Sequence, residues 1–230
     1  MKKARKKVFK FFRNIILLII FIIALVVSYF IYNGYTMYTD ALSKTSLEQK
    51  ISEIKSQPNY TKFDEVSKDL LKATVAVEDH RFYSHNGVDA ISLARAIVVN
   101  ISTGDIEQGG STITQQLAKN MYFTQEQKFT RKIAEAFMAY DLEKKYSKNE
   151  ILELYINSIY YGNGHYNIGD ASKGYFGKVP LELTYYESTM LAGIPNAPSL
   201  YSPAVNKKLA EERRQQVLNA LEKYGNDMNF

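Results

Sequence analysis

The chain contains no cysteine, which excludes a disulfide framework, a thiol nucleophile and any cysteine-ligated zinc site. Histidine is scarce: of the three present, His80 and His85 would lie about 140° apart on a continuous helix and could not chelate side by side. Sustained alternation of apolar and polar residues is nearly absent, which argues against sheets and leaves an all-α or mainly-α domain. No internal repeat is visible, and no low-complexity tract beyond a basic N-terminus. Proline is sparse as well; four of the five fall within 180–203 and mark a turn-rich segment.

Two further absences organise the N-terminal part. Residues 15–32, IILLIIFIIALVVSYFIY, carry no charge, and as a helix they would span about 27 Å, enough for a bilayer core. Residues 2–13 hold seven basic side chains and no acid, which predicts a cytoplasmic N-terminus with the rest of the chain outside. SYFIYNGYTMY offers no small-x-small cleavage site, so an uncleaved signal-anchor is favoured over a removable signal peptide. No polar stripe interrupts the run, as one would in the core helix of a soluble protein. Setting the seven N-terminal positives aside leaves 22 basic against 24 acidic residues, so the net charge of +5 marks contact with anionic lipid and not a nucleic-acid surface.

The expected organisation is a basic cytoplasmic tail (1–14), a transmembrane signal-anchor helix (15–32), a juxtamembrane connector (33–66) and an extracytoplasmic domain (67–230). The connector is polar and tyrosine-rich, with a short amphipathic pattern at Leu47, Ile51 and Ile54 that reads either as a helix at the membrane surface or as a spacer helix. Beyond it, apolar periodicity predicts helices over 67–79, over 89–102 (Ile91, Ala94, Ile97, Val98, Ile101; ending before Gly104), from Gly109-Gly110-Ser111-Thr112 onward, and over about 130–145. Ser147-Lys148-Asn149-Glu150 reads as a capping box opening a helix to about Asn157, and a charged helix over 207–224 ends before Gly225.

Three places carry chemistry. Glu78 projects within about 20° of Leu71, on the apolar stripe of its helix, the setting that a general base for a hydroxyl requires. Its neighbour Asp79 turns toward Lys68 and Lys72. The bland alternative for Glu78 is an acid paired with Arg81 or another cation. Glu135 shares a face with Arg131 and Lys132 on a helix that is apolar on both sides; there the competing reading is a buried Arg131–Glu135 ion pair. Ser111 or Thr112 caps a glycine-preceded helix whose N–H groups point outward, with Gln115, Gln116, Lys119 and Asn120 along it, a cradle for an anion or an ordinary capped helix with a solvated lysine. The two histidines are expected to hold the loop after Glu78, and Gly87 to permit its turn.

AVEDHRFYSHNGVD, GGSTITQQLAKN, RKIAEAFMAYDLEKKYSKNEILELYINSIYYG, ASKGYFGK and LAGIPNAPSLYSP together resemble the family 51 glycosyltransferases, which polymerise bacterial peptidoglycan from lipid II. The resemblance covers most of the chain after about residue 60. It implies a lysozyme-like, two-lobed, mainly-α domain behind one transmembrane helix, with Glu78 and Glu135 catalytic. It also implies that Ser111, Thr112, Gln116, Lys119, Arg131 and Lys132 contact the donor and its pyrophosphate. Expected partners are lipid II, the growing lipid-linked chain, the membrane and proteins of cell division or elongation, with no nucleic acid. No cofactor is required by the pattern; a divalent cation (magnesium or manganese) is compatible with it, its ligands unassigned. The implied sensitivity is to moenomycin, a mimic of the donor. GNGHYNIGDASK departs from the more regular family pattern, so His165, Tyr166 and Asp170 receive no role. Because the chain closes soon after RRQQVLNAL, a monofunctional enzyme without a transpeptidase domain is expected. A glycan-cleaving hydrolase or lytic transglycosylase is the second reading, disfavoured because cleavage needs no pyrophosphate cradle; a non-catalytic cell-wall scaffold is the third.

Overall fold

The first 43 described residues form one uninterrupted helix, α1 (Lys2–Lys44), in the computed structural model of the chain. The structure describes residues 2–103, 109–123 and 129–225; Gly104, the final five residues and the side chains of Ile97 and Ile101 lie outside what is described. The apolar run sits in the first part of α1, which is long and apolar enough to cross a membrane and has no buried residue in its most apolar stretch. The helix does not stop where the run stops. Polar residues that would otherwise compete for the backbone bond back along the helix: Asn33 Nδ2 donates to the Tyr29 carbonyl (2.7 Å) and Thr36 Oγ1 to that of Tyr32 (3.0 Å).

The connector therefore divides. Its first part continues α1, and its second, α2 (Leu47–Lys55), opens on a Ser46–Gln49 capping box and buries Leu47, Ile51 and Ile54 in the core. The amphipathic pattern marks neither a membrane-surface helix nor a free spacer. The following irregular segment is tied to the domain, where Thr61 N–H donates to Asn157 Oδ1 (2.9 Å) and Phe63 N–H to Glu153 Oε2 (2.7 Å).

The remaining helices are α3 (Lys68–Glu78), α4 (Ala90–Thr103), α5 (Ile113–Tyr122), α6 (Phe129–Lys145), α7 (Lys148–Ile156), α8 (Ile168–Phe176), α9 (Tyr185–Gly193), α10 (Pro198–Tyr201) and α11 (Lys207–Tyr224). Among the described residues there is no strand, only an isolated bridge between Asn86 and Val88. The mainly-α expectation holds. The core gathers Leu70, Leu71 and Val75 of α3, Leu117 of α5, Met138 and Leu142 of α6, and Ile151, Leu152 and Tyr155 of α7. Ser147 and Glu150 form the expected capping box, and α11 ends at Gly225 as its pattern indicates.

Two elements differ from their sequence patterns. The proline-rich segment contains α9, whose residues from Ser188 to Gly193 are all buried; a helix covered on every side has no amphipathic stripe to read. Its prolines start short helical turns at Pro180, Pro195 and Pro198, where a missing N–H costs nothing. In α4 the expected apolar face is not in the core: Ile91 and Val98 are 56% and 66% exposed, while Ala96 is buried.

Helix α6 is central. One side packs on α5 and α7, and the other docks along α1. The α1–α6 seam is aromatic, with Phe30 on Phe129, Tyr35 and Tyr38 on Phe137, and the Tyr38 hydroxyl donating to Asp141. Gly34 makes this crossing possible, since a Cβ there would meet Ile133 Cγ2 at 2.5 Å. We expect Gly34→Leu to destabilise the detergent-solubilised protein by about 1–3 kcal/mol through overpacking. Denaturant unfolding measures it, and an unchanged midpoint would show that α1 does not dock on α6.

Candidate active-site cleft

The chain leaves α3 one residue after Glu78. Asp79 adopts φ −158° and ψ 73°, so the helical reckoning that turned it toward Lys68 and Lys72 does not apply. Its carboxylate is buried instead. It lies 2.9 and 3.2 Å from His85 Nε2, and its Oδ2 accepts the N–H of Ile113, the first residue of α5, at 3.0 Å. One carboxylate thereby joins the end of α3, the loop after it and the start of α5. Gly87 turns that loop with φ +80°, against the backbone of Ala139 where a Cβ would approach to 3.0 Å.

This junction changes the reading of the helix start. Thr112, not Ser111, is the N-cap: its Oγ1 accepts from Gln115 N–H and donates to the Gly87 carbonyl at 2.6 Å. Thr112 is buried and does not line the cleft, contrary to the expectation of a donor contact. The N–H of Ile113 is taken by Asp79 and that of Gln115 by the cap, so these two do not point outward; a buried helix start satisfies its donors internally. Lys119, further along α5, lines the cleft instead.

A cleft of about 760 Å³ is lined by Glu78, Ser111, Gln116, Lys119, Arg131 and Lys132, among others. The structure thus brings six of the eight expected site residues to one surface. Glu78 is held from two sides. Gln116 Nε2 donates to its Oε2 at 2.9 Å, and Gln116 is itself oriented by the Tyr155 hydroxyl (3.2 Å). Its Oε1 is buried without a hydrogen bond and faces Arg213 Nη2 at 3.5 Å. The apolar stripe of α3 lies behind Glu78, but its head has polar neighbours because it stands at the helix end, beside α5 and α11. Gln116, expected on the substrate, reaches Glu78.

Glu135 does not line the cleft. It is fully buried, with Oε1 2.8 Å from Arg131 Nε and Oε2 accepting from Lys132 Nζ at 2.7 Å. The ion pair posed by the sequence is present, and both of its cations line the cleft while Glu135 itself does not. Lys119 completes the cationic wall, its proton affinity lowered first by burial, then raised by Glu135 and lowered by Lys132 and Arg131.

The cleft is also lined by residues that the sequence reading did not place in the site. His80 stacks on Tyr224 with ring centroids 4.0 Å apart, and its Nε2 accepts from Arg95 Nη1 at 3.3 Å. Burial and Arg95 push its proton affinity down, consistent with a neutral ring. Of the two histidines only His85 holds the loop. Arg213 sits in RRQQVLNAL, and only the packing of α11 on α3 and α9 brings it to Glu78. His165 packs its ring over Gly174 and Asp170 bonds Asn59 and Asn167, away from the cleft lining.

For a divalent cation the donor set fits poorly. Both Glu135 oxygens face cations, Glu78 faces Gln116 and Arg213, and among the described residues no three metal-ligating groups converge.

A family model described as transglycosylase matches residues 46–222. Penicillin-binding protein 1A of Neisseria flavescens is 48% identical over 160 residues, covering 70% of this chain and 20% of that protein. The protein of the same name from Neisseria cinerea is 49% identical over the same length and shares. A Cupriavidus necator protein named as a transglycosylase is 42% identical over 175 residues, 76% of this chain and 75% of that protein. The chain spans about a fifth of the length of the penicillin-binding proteins it matches.

Asp79→Ala should lower stability by about 1–3 kcal/mol, since it leaves the Ile113 N–H and His85 without their buried acceptor. Activity should fall as well, because α5 loses its tether; wild-type unfolding would refute the junction. Lys119→Met should do the reverse to stability. Folding lowers the pKa of Lys119, first through burial, so keeping it protonated in the native state costs stability; that cost is full below the lowered pKa and is lost as pH rises through it toward the unfolded value. The variant should melt higher at pH 7, with the gain vanishing toward pH 11, and lose turnover.

Proposed function

The chain belongs to the transglycosylase family, and on that premise we propose that it polymerises lipid II into glycan strands and releases undecaprenyl pyrophosphate. The observation that carries this reading is a single cleft with a buried carboxylate oxygen free of hydrogen bonds at one side and Lys119, Arg131 and Lys132 along the other. That pairing suits a base-assisted displacement of an anionic leaving group.

In the proposed reaction Glu78 Oε1 accepts the proton of the 4-hydroxyl on the GlcNAc of the acceptor. The freed oxygen bonds to the anomeric carbon of the donor MurNAc from the face opposite the pyrophosphate, and the anomeric carbon–oxygen bond to phosphate breaks with inversion. Lys119, Arg131 and Lys132 stabilise the charge that develops on the departing pyrophosphate. Glu135 keeps Arg131 and Lys132 extended toward it, and Glu78 returns its proton to water. The protein's own residues supply binding, orientation and the proton acceptor.

We further propose that α1 anchors the enzyme with its N-terminus cytoplasmic and the cleft outside, within reach of membrane-resident substrates. The exposed apolar residues of α4, Ile91, Leu93 and Val98, support a domain that rests against lipid. Proteins of cell division or elongation are the proposed recruiting partners.

The test is the product. Full-length protein in detergent, given lipid II, should form long uncrosslinked glycan and undecaprenyl pyrophosphate, insensitive to penicillin and blocked by moenomycin. Glu78→Gln should lose at least about a hundredfold in rate, the scale of a removed general base, with its melting temperature held. Release of muropeptides from finished peptidoglycan without polymer formation would replace this reading with the lytic one.

A further inference from the structure

Arg213 is anchored more firmly than a surface arginine requires. Its side chain is 11% exposed; Nε donates to the Gly193 carbonyl at 3.3 Å, Nη1 donates to Gln216 Oε1 at 2.7 Å, and the guanidinium lies 5.8 Å from the Tyr201 ring centroid. Its stem crosses Gly193 so closely that a Cβ there would meet Arg213 Cγ at 3.0 Å. The remaining nitrogen, Nη2, stops 3.5 Å from Glu78 Oε1, close enough for strong electrostatic attraction but too far for a hydrogen bond.

That separation has a chemical consequence. Oε2 is occupied by the Gln116 amide, so Oε1 is the oxygen left to take a proton. A guanidinium bonded directly to Oε1 would block it; one held just short of bonding favours the carboxylate form and leaves the lone pairs open. We propose that Arg213, seated on Gly193, is the positioning residue of the Glu78 base: anchored to Gly193 and Gln216 and stopping just short of Oε1, it fixes the carboxylate's orientation while leaving Oε1 open. The inference rests on the reading of Glu78 as the base.

The charged and titratable groups facing Glu78 from the elements packed around it are Arg213 of α11, Lys119 of α5, Tyr155 of α7 and Tyr161 beyond it. Burial raises both tyrosines far above their ordinary range, so neither titrates near neutrality. Lys119 belongs to the phosphate wall. Arg213 is therefore the cation whose removal should move the acid limb of the pH–rate profile without touching the leaving-group site.

The experiment measures kcat and KM for lipid II against pH with full-length protein in detergent, for Arg213→Met, Arg213→Lys and Gly193→Ala, beside Glu78→Gln. Loss of a cation beside a carboxylate makes protonation easier, so in Arg213→Met the acid limb should shift upward by about one pH unit. Its kcat should fall about ten- to a hundredfold with KM little changed. Arg213→Lys should restore most of the limb, and Gly193→Ala, which pushes the stem aside, should shift it in the same direction by less. An unmoved acid limb in Arg213→Met and Gly193→Ala, with activity falling only as thermal stability falls, would reduce Arg213 to a structural residue. A rise confined to KM would make it a substrate contact and overturn the proposal equally. Should Arg213→Met fail to fold, the milder pair decides. An active Glu78→Gln would sink the base reading itself, whereas an inactive one with an unmoved limb in the arginine variants sinks only this inference.

Discussion

A carboxylate with no exposure to water in the middle of a helix has to be met by cations, and Glu135 is met by two from its own helix. The pairing ties Arg131, four residues before the acid, and Lys132, three before it, to one buried point, so the polar face of α6 has a defined shape. Removing the acid would leave two cations free to fold back; removing either cation would leave a buried charge half compensated. Because α6 also packs on α5, α7 and α1, the position of this ion cluster sets where the cationic wall stands relative to every other wall of the cleft.

The opposite wall depends on a second buried acid. Asp79 binds three chain segments at one point, the end of α3, the loop through His85 and the first N–H of α5. Glu78 immediately before it and Gln116 one turn into α5 are therefore held at a constant spacing, which is why an amide donor meets one oxygen of Glu78 and leaves the other open. Adjacent acids thus take complementary parts: one is spent on architecture and the other stays available for chemistry. The Tyr155 hydroxyl extends the same network into α7.

The proposed membrane anchor is part of this frame and not a tether joined by a slack linker. Helix α1 runs past the end of its apolar stretch to Lys44 and lays Gly34, Tyr35 and Tyr38 against Ile133 and Phe137 of α6, the helix that bears Arg131 and Lys132. In the proposed topology the depth of α1 in the bilayer and the height of the cleft's cations are then linked through one rigid seam. For substrates confined to the membrane, such a link presents the cleft at a constant distance from the lipid surface.

Local information in the chain is enough for the helical class, the apolar run and most helix limits, because periodicity and caps act over a few residues, whereas the grouping of Glu78 with Lys119, Arg131 and Lys132 rests on the family resemblance and on the packing that brings them to one cleft. Local information is enough, too, to pose the Glu135 ion pair, since its partners stand three and four positions away on the same helix. Helix α9 gives no signal because a helix buried all round has no stripe, and α2 reads as a membrane-surface or spacer helix because the core partners of Leu47, Ile51 and Ile54 are distant in sequence. Asp79 was misdirected by continuing a helix one residue past its end, and Thr112 was sent to the substrate although its hydroxyl belongs to the Gly87 carbonyl. What only the tertiary structure decided are the contacts made across the fold: Asp79 to Ile113, Gln116 to Glu78 and, more than a hundred residues away along the chain, Arg213 to the same glutamate. Those depend on how α3, α5 and α11 pack, and no pattern confined to one helix carries that distance.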